Sequence, residues 1–173
     1  NMNKVNFTEN RSALHFAPRY FKNSRFSSLF PSIFDDLNQM FNISERLISN
    51  DYSHIKDIIH LGTGGSCLGP KLIYECFSHI SKGPNVHFIS NIDPLSLNKI
   101  LLKLKPENTL IISVSKSFTT HETQLNLNRL KSWFIYHRLL KKFFKNLFLI
   151  TSFPNMAREY GALETNILNL DIN

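Results

Sequence analysis

The sequence predicts an α/β fold: a five-stranded parallel sheet, doubly wound and flavodoxin-like, forming three layers with helices on both faces. Three observations predict it. From Asp57 to Leu170, short apolar runs alternate regularly with amphipathic stretches. The run Thr109–Val114 is almost wholly apolar, as a strand covered on both faces must be. The first run leads directly into the glycine-rich turn Gly62–Pro70, a strand-to-helix junction.

The elements follow in order. The stretch 1–28 reads as irregular or weakly helical, with Pro18 breaking any helix. Pro31–Ser49 reads as a helix. Pro31 suits its first turn, Asp35 and Asp36 its N-terminal end, and Phe34, Leu37, Phe41 and Leu47 recur at helical spacing. This divides the chain into an N-terminal arm and helix, 1–50, packing on an α/β domain, 51–173. Strands are expected at Asp57–Leu61, Val86–Ser90, Thr109–Val114, Leu147–Thr151 and Asn166–Leu170. Helices are expected at Gly69–Ile80, Pro94–Leu104, Thr119–His137 and Asn155–Tyr160. The first of these carries Leu72, Ile73, Cys76, Phe77 and Ile80 on one face. Right-handed crossovers then favour the strand order 2-1-3-4-5. In that architecture ligands bind beyond the carboxyl ends of the strands where the order reverses, after strands one and three.

Composition bounds the function. With 173 residues, 42% hydrophobic and 19% charged, the chain has material for one globular core and is not disordered in type. No stretch is apolar and long enough to span a membrane, and the polar start Asn1–Phe7 has no signal-peptide pattern. Cys67 and Cys76 are expected to be reduced, which suits a cytoplasmic protein. The seven histidines form no metal-ligand spacing with them, so no metal is expected. The net charge of +7 suits an anionic partner. Its densest part, Arg138 with Lys141, Lys142 and Lys145, alternates with apolar residues. It reads as a solvated helix face rather than a nucleic-acid site, since no recognition motif accompanies it.

Two loops carry the chemistry. Gly62-Thr63-Gly64-Gly65-Ser66-Cys67-Leu68-Gly69-Pro70 has four glycines in eight residues and opens a helix, whose free N–H groups favour an anion or an oxygen-rich ligand. The dinucleotide fingerprint would require glycine where Cys67 stands, and no acidic residue ends the second strand. The second loop, Ser115-Lys116-Ser117-Phe118-Thr119-Thr120, puts four hydroxyls and one ammonium at a helix N-terminus. A phosphate dianion needs such an arrangement of short donors backed by positive potential. The spacing Thr119-x-x-Glu122 reads as a capping box marking that helix start. Capping would use one or two of the hydroxyls and leave the rest for a ligand.

These residues resemble the phosphoglucose isomerase family. Gly62–Pro70 is similar to its glycine-serine loop, and Ser90-Asn91-Ile92-Asp93 to the segment after its second strand. Ser115–Thr123, reading SKSFTTHET, resembles its phosphate-loop signature, and Thr8–His15 a motif upstream of these. The resemblance runs from about Lys4 to at least Gly161 and implies a sugar-isomerase (SIS) domain. It differs from the commonest family pattern at Thr63 for Ile, Cys67 for Asp, Ser117 for Thr and His121 for Gln.

The resemblance implies that Ser115, Ser117 and Thr120 hold the substrate phosphate, with Lys116, Phe118 and Thr119 in the same loop. Gly65 and Ser66 would line the sugar. The implied activity is the aldose–ketose isomerisation of glucose 6-phosphate and fructose 6-phosphate, in glycolysis and gluconeogenesis. It proceeds through an enediol by acid–base catalysis without cofactor, in a full-length enzyme expected to be a homodimer. The family's base glutamate, ring-opening histidine and C-terminal lysine lie downstream of this stretch. The expectation is therefore a phosphate-binding portion with no catalytic residue, inactive alone. A piece of a longer chain, a partial gene product and a short homologue all fit, as does a non-catalytic sugar-phosphate-binding module.

Overall fold

The structure is a computed structural model and describes residues 31–170. The expected motif Thr8–His15 and the irregular stretch 1–28 lie outside the described residues. The described elements run as follows: α1 Pro31–Ile48, β1 Asp57–Leu61, α2 Gly65–Phe77, β2 Asn85–Ile89, α3 Pro94–Leu101, β3 Thr109–Val114, α4 His121–Tyr136, α5 Leu140–Lys145, β4 Leu147–Thr151, α6 Pro154–Tyr160 and β5 Ile167–Asn169. Single 3₁₀ turns precede β1, β3 and β5.

The sheet has five strands in the order β2-β1-β3-β4-β5, all parallel. This is the predicted fold and the predicted order. β1 is an interior strand: Ile59 pairs with His87 of β2 on one side and with Ile111 of β3 on the other. The chain leaves β1 towards β2 and returns across it to β3. The order therefore reverses between β1 and β3, and their C-terminal ends flank the resulting crevice.

Alternate side chains of each strand serve opposite faces. One face packs Ile59, Leu61, Ile111, Leu147 and Leu149 against Leu97 of α3, Leu127, Leu130 and Phe134 of α4, Phe143 of α5 and Ala157 of α6. The opposite face carries Tyr52, Ile55, Leu110 and Phe148, with Ile43 and Leu47 of α1 packed against them. Polar contacts fasten α1 to the last strand: Gln39 Nε2 donates to Ile167 O at 2.7 Å, and Arg46 donates to Thr165 O at 2.6 Å.

Helix details depart from expectation at several points; among the boundaries, α2 ends at Phe77 rather than Ile80, α3 ends at Leu101 rather than Leu104, and α4 begins at His121 rather than Thr119. α2 begins at Gly65 rather than Gly69, so Pro70 lies in its second turn instead of near its start. α4 ends at Tyr136, one residue from the expected end at His137, and the stretch after it forms a separate helix, α5, that is not among the expected helices. Arg138 takes a left-handed conformation, φ 61°. Its N–H bonds back to Ile135 O and that of Leu139 to Phe134 O, both at 2.8 Å, the double closure that ends a helix. In α5 Phe143 is fully buried while Lys141 and Lys145 are exposed, as expected for a solvated basic face. Finally, Asp35 and Asp36 fall in the second turn of α1, because its first turn contains no acidic residue.

Candidate functional site

The first loop is shaped by two of its glycines. Gly64 caps α2 with φ 51°, a left-handed conformation that side chains resist. At Gly62 a Cβ would stand 2.8 Å from the carbonyl oxygen of Ser66, so only glycine lets the first turn of α2 fold back onto the end of β1. The turn closes through Ser66 N–H to Thr63 O at 3.1 Å and Leu68 N–H to Gly64 O at 2.9 Å. Cys67 points inward and is buried, while Cys76 is exposed; both are free thiols. Nine residues apart on one helix, they sit about 13 Å apart along its axis, beyond disulfide reach.

The second loop is anchored by Phe118. Its φ of 56° is unusual for a bulky residue. Its ring is buried in the core, with the Tyr160 ring edge-on at 6.0 Å. Burial of a Phe side chain contributes about 1.5–3 kcal/mol, enough to offset a left-handed backbone cost of about 1–2 kcal/mol. Gln124 Nε2 fixes the same residue by donating to Phe118 O at 2.6 Å. Neighbouring β4 supports the loop, since Ser152 N–H and Thr151 Oγ1 both donate to Lys116 O, at 3.0 and 3.1 Å.

The hydroxyls do not cap α4 as expected. The N-cap is Thr120 rather than Thr119, and its side chain makes no capping hydrogen bond. They bond instead to one another: Ser115 Oγ donates to Thr120 Oγ1 at 3.1 Å, and Thr119 Oγ1 donates to Ser117 Oγ at 2.8 Å. The first turn of α4 thus has no side-chain cap beside a cluster of hydroxyls, a combination suited to an anion.

A cleft of about 480 Å³ joins the two loops. Of the predicted site residues, Ser66, Ser115, Lys116, Ser117 and Thr120 line it together. Gly65 is the first residue of α2 and has open space where a side chain would stand. Phe118 serves the core, and Thr119 is exposed beside Ser117. Three further lining residues, Thr63, Val114 and Phe153, are not among the site residues expected from the sequence. There Thr63 stands out only as a departure from a family pattern. Phe153 follows β4, the strand next to β3, and that adjacency is the signal that could have found it.

The third expected segment, Ser90–Asp93, has a structural task. The Asp93 carboxylate caps α3, accepting from Leu95 N–H at 3.0 Å and from Ser96 Oγ at 2.8 Å. The Ser96 hydroxyl, then the Leu95 N–H, hold its pKa below the ordinary carboxylate value. Buried Asn126 of α4 ties the segment down by donating to Asn91 O at 2.7 Å. Among the described residues, no three His, Cys, Asp or Glu side chains gather as a metal-holding group, and no helix is long and apolar enough to cross a membrane.

The family model for phosphoglucose isomerase matches residues 1–171. The chain belongs to the phosphoglucose isomerase family. It is 37% identical over 174 residues to a glucose-6-phosphate isomerase from Buchnera aphidicola subsp. Schizaphis graminum, covering 95% of this chain and 31% of that protein. A glucose-6-phosphate isomerase from Wigglesworthia glossinidia brevipalpis is 36% identical, over 96% of this chain and 32% of that protein. The chain thus spans about a third of the length of these relatives. Among solved structures, the fold is similar to that of a glucose-6-phosphate isomerase from Chlamydia trachomatis, with TM-score 0.74 and 23% identity over 94% of this chain and 31% of the other. A hypothetical protein from Thermus thermophilus is similar at TM-score 0.67 and 24% identity, over 91% of this chain and 38% of that one.

Proposed function

We propose that this phosphoglucose isomerase-family chain binds the phosphate end of glucose 6-phosphate or fructose 6-phosphate in the cleft between its two loops. The observation that carries the reading is the convergence of Ser115, Lys116, Ser117 and Thr120 with Ser66 around one cleft, at a helix N-terminus with no side-chain cap. Ser115, Ser117 and Thr120 donate to the phosphate oxygens, with the backbone of Lys116–Thr119 around them. The Lys116 ammonium supplies positive potential at the loop. Ser66 and the open edge at Gly65 meet the sugar. The names of the relatives supply the substrate class.

The same reading makes the chain a binding portion of an isomerase rather than a complete one. Proton transfer between C1 and C2 needs a base within hydrogen-bond reach of the carbon-bound proton. Among the described residues lining the cleft there is no Asp, Glu or His. Glu122 stands in the first turn of α4, where a second negative charge beside a phosphate is unfavourable for a base.

Calorimetry with fructose 6-phosphate tests the binding claim. Replacing Ser115 and Thr120 together by Ala removes charge-assisted hydrogen bonds of about 1.5–3 kcal/mol each and is expected to abolish measurable binding. Unchanged affinity in the double variant overturns the assignment. A coupled assay converting fructose 6-phosphate to glucose 6-phosphate is expected to show no turnover by the purified chain. Turnover that disappears in the double variant overturns the claim that the base is lacking.

A further inference from the structure

His60 lies on β1 and is buried, 6% exposed, two residues before the glycine loop. Its side chain leaves the sheet on the face opposite its neighbours Ile59 and Leu61, which belong to the main core. There Nε2 stands 2.8 Å from the carbonyl oxygen of Ser66. A carbonyl only accepts, so the ring must donate through Nε2–H. Burial holds the imidazole pKa below its ordinary 6.5, and the ring is neutral at neutral pH with its proton on Nε2.

The carbonyl it reaches is a particular one. In an α-helix Ser66 O would accept from the N–H of the fourth residue on. That residue is Pro70, which has no N–H. Pro70 therefore leaves a helical acceptor open in the first turn, and His60 fills it from the neighbouring strand. Gly62 makes room for the same oxygen, as a Cβ there would stand 2.8 Å from it. The imidazole is itself held by a ring ladder, His60 to Phe88 at 5.1 Å and Phe88 to Tyr74 at 5.9 Å between centroids. Strand, glycine and proline thus meet on one oxygen, and the side chain of that residue lines the cleft.

We propose that His60 is a positioning residue that pins the first turn of α2 through the Ser66 carbonyl freed by Pro70, and so fixes Ser66 in the cleft. Its effect on ligand binding rests on the sugar-phosphate reading of that cleft; the pinning itself does not.

The test uses amide hydrogen exchange by NMR at Cys67 and Leu68, whose N–H groups close this turn onto Gly64 O. Leaving the Ser66 carbonyl unpartnered in His60→Leu is expected to speed their exchange about tenfold, and His60→Gln, which keeps an N–H donor, to recover most of the protection. Pro70→Ala restores the helical N–H, so in that background His60→Leu is expected to act less than about threefold. Equal acceleration in both backgrounds, or none in either, overturns the proposal. The imidazole ¹⁵N shifts of the unaltered chain give a reading that needs no variant. A protonated Nε2 with bare Nδ1 supports the proposal; a bare Nε2 overturns it.

With fructose 6-phosphate, His60→Leu is expected to weaken binding about tenfold while inorganic phosphate, held by the second loop, binds within about twofold of the unaltered chain. Equal loss of both ligands, or of neither, overturns the role in the cleft. Binding of neither ligand by the unaltered chain overturns the sugar-phosphate reading instead, with exchange and ¹⁵N shifts still deciding the pinning.

Discussion

The two faces of the sheet are built differently. On one face α3, α4, α5 and α6 close over the strands, and Leu97, Leu127, Leu130, Phe134 and Phe143 have no exposure at all. On the other, among the described residues, α1 and α2 cover the sheet incompletely. α1 leaves an apolar cleft of about 270 Å³ between itself and the strands, lined by Met40, Phe41, Ile112, Phe148 and Ile150 among others. α2 buries only Cys67, while its Leu68, Leu72, Ile73 and Phe77 are 59–67% exposed, as is Ile80 in the turn after it. The geometry explains this. Cys67 and Tyr74, two turns apart, face the sheet, and at about 100° per residue Leu72, Ile73 and Cys76 point the other way. Apolar residues at helical spacing define a stripe, and the stripe alone does not say what covers it. The closed face holds the larger fully buried cluster, while on the open face the His60 ring meets the Ser66 carbonyl of the first loop.

Four measurements sharpen or break this contrast. The largest effect belongs to the closed face: Phe134→Ala, which removes a fully buried ring packed 5.5 Å from Phe143, is expected to cost about 3–5 kcal/mol in urea unfolding. On the open face Phe148→Ala is expected to fall at the low end, about 3 kcal/mol, because its surroundings can relax into the adjoining cleft. A cost above that of Phe134→Ala breaks the contrast.

Third is pH. His60, by burial, and His54, by burial and then by Lys142 and Lys145, have folded pKa values below 6.5. The unfolded chain then takes up more protons than the folded one below about pH 6.5, so stability falls as pH falls. Each group contributes at most about 1.4 kcal/mol per pH unit. Unfolding curves at stepped pH should show this slope, reduced in His60→Gln; an unchanged slope in that variant contradicts it. The smallest effect belongs to the outer stripe: Leu72→Gln and Phe77→Gln are expected to stay within about 0.5 kcal/mol of the unaltered chain. Losses above about 1.5 kcal/mol show that the stripe is covered in solution.

The strands and their order were legible because an all-parallel, doubly buried sheet writes itself as apolar runs separated by helical stretches. The crevice was legible for the same reason, as topology alone brings the ends of β1 and β3 together. Helix ends were legible where the chemistry was conventional. Gly161 closes α6 with φ 102°, bonding back to Arg158 O while Ala162 bonds to Ala157 O. Arg138 makes the same closure of α4 without glycine; the expected end at His137 lies one residue from the observed one, but no sequence signal sets α5 apart. Pro70 misled in the opposite sense: its missing N–H suits a first turn, yet it sits in the second because His60 satisfies the acceptor it abandons. In the candidate site, residue type singled out the hydroxyl loop as an expectation, but only the fold separates Phe118, which anchors the loop from the core, from the residues facing the cleft. Thr63 and Phe153 join the cleft through the positions of their strands rather than through any motif.

An NMR titration of the ¹⁵N-labelled chain with fructose 6-phosphate reports on both loops at once. Amides of 62–66 and 115–120 are expected to shift together along one saturable curve, with inorganic phosphate moving the second group far more than the first. Shifts confined to other parts of the chain, or titration of the two loops with separate affinities, would contradict the claim that they form one sugar-phosphate cleft.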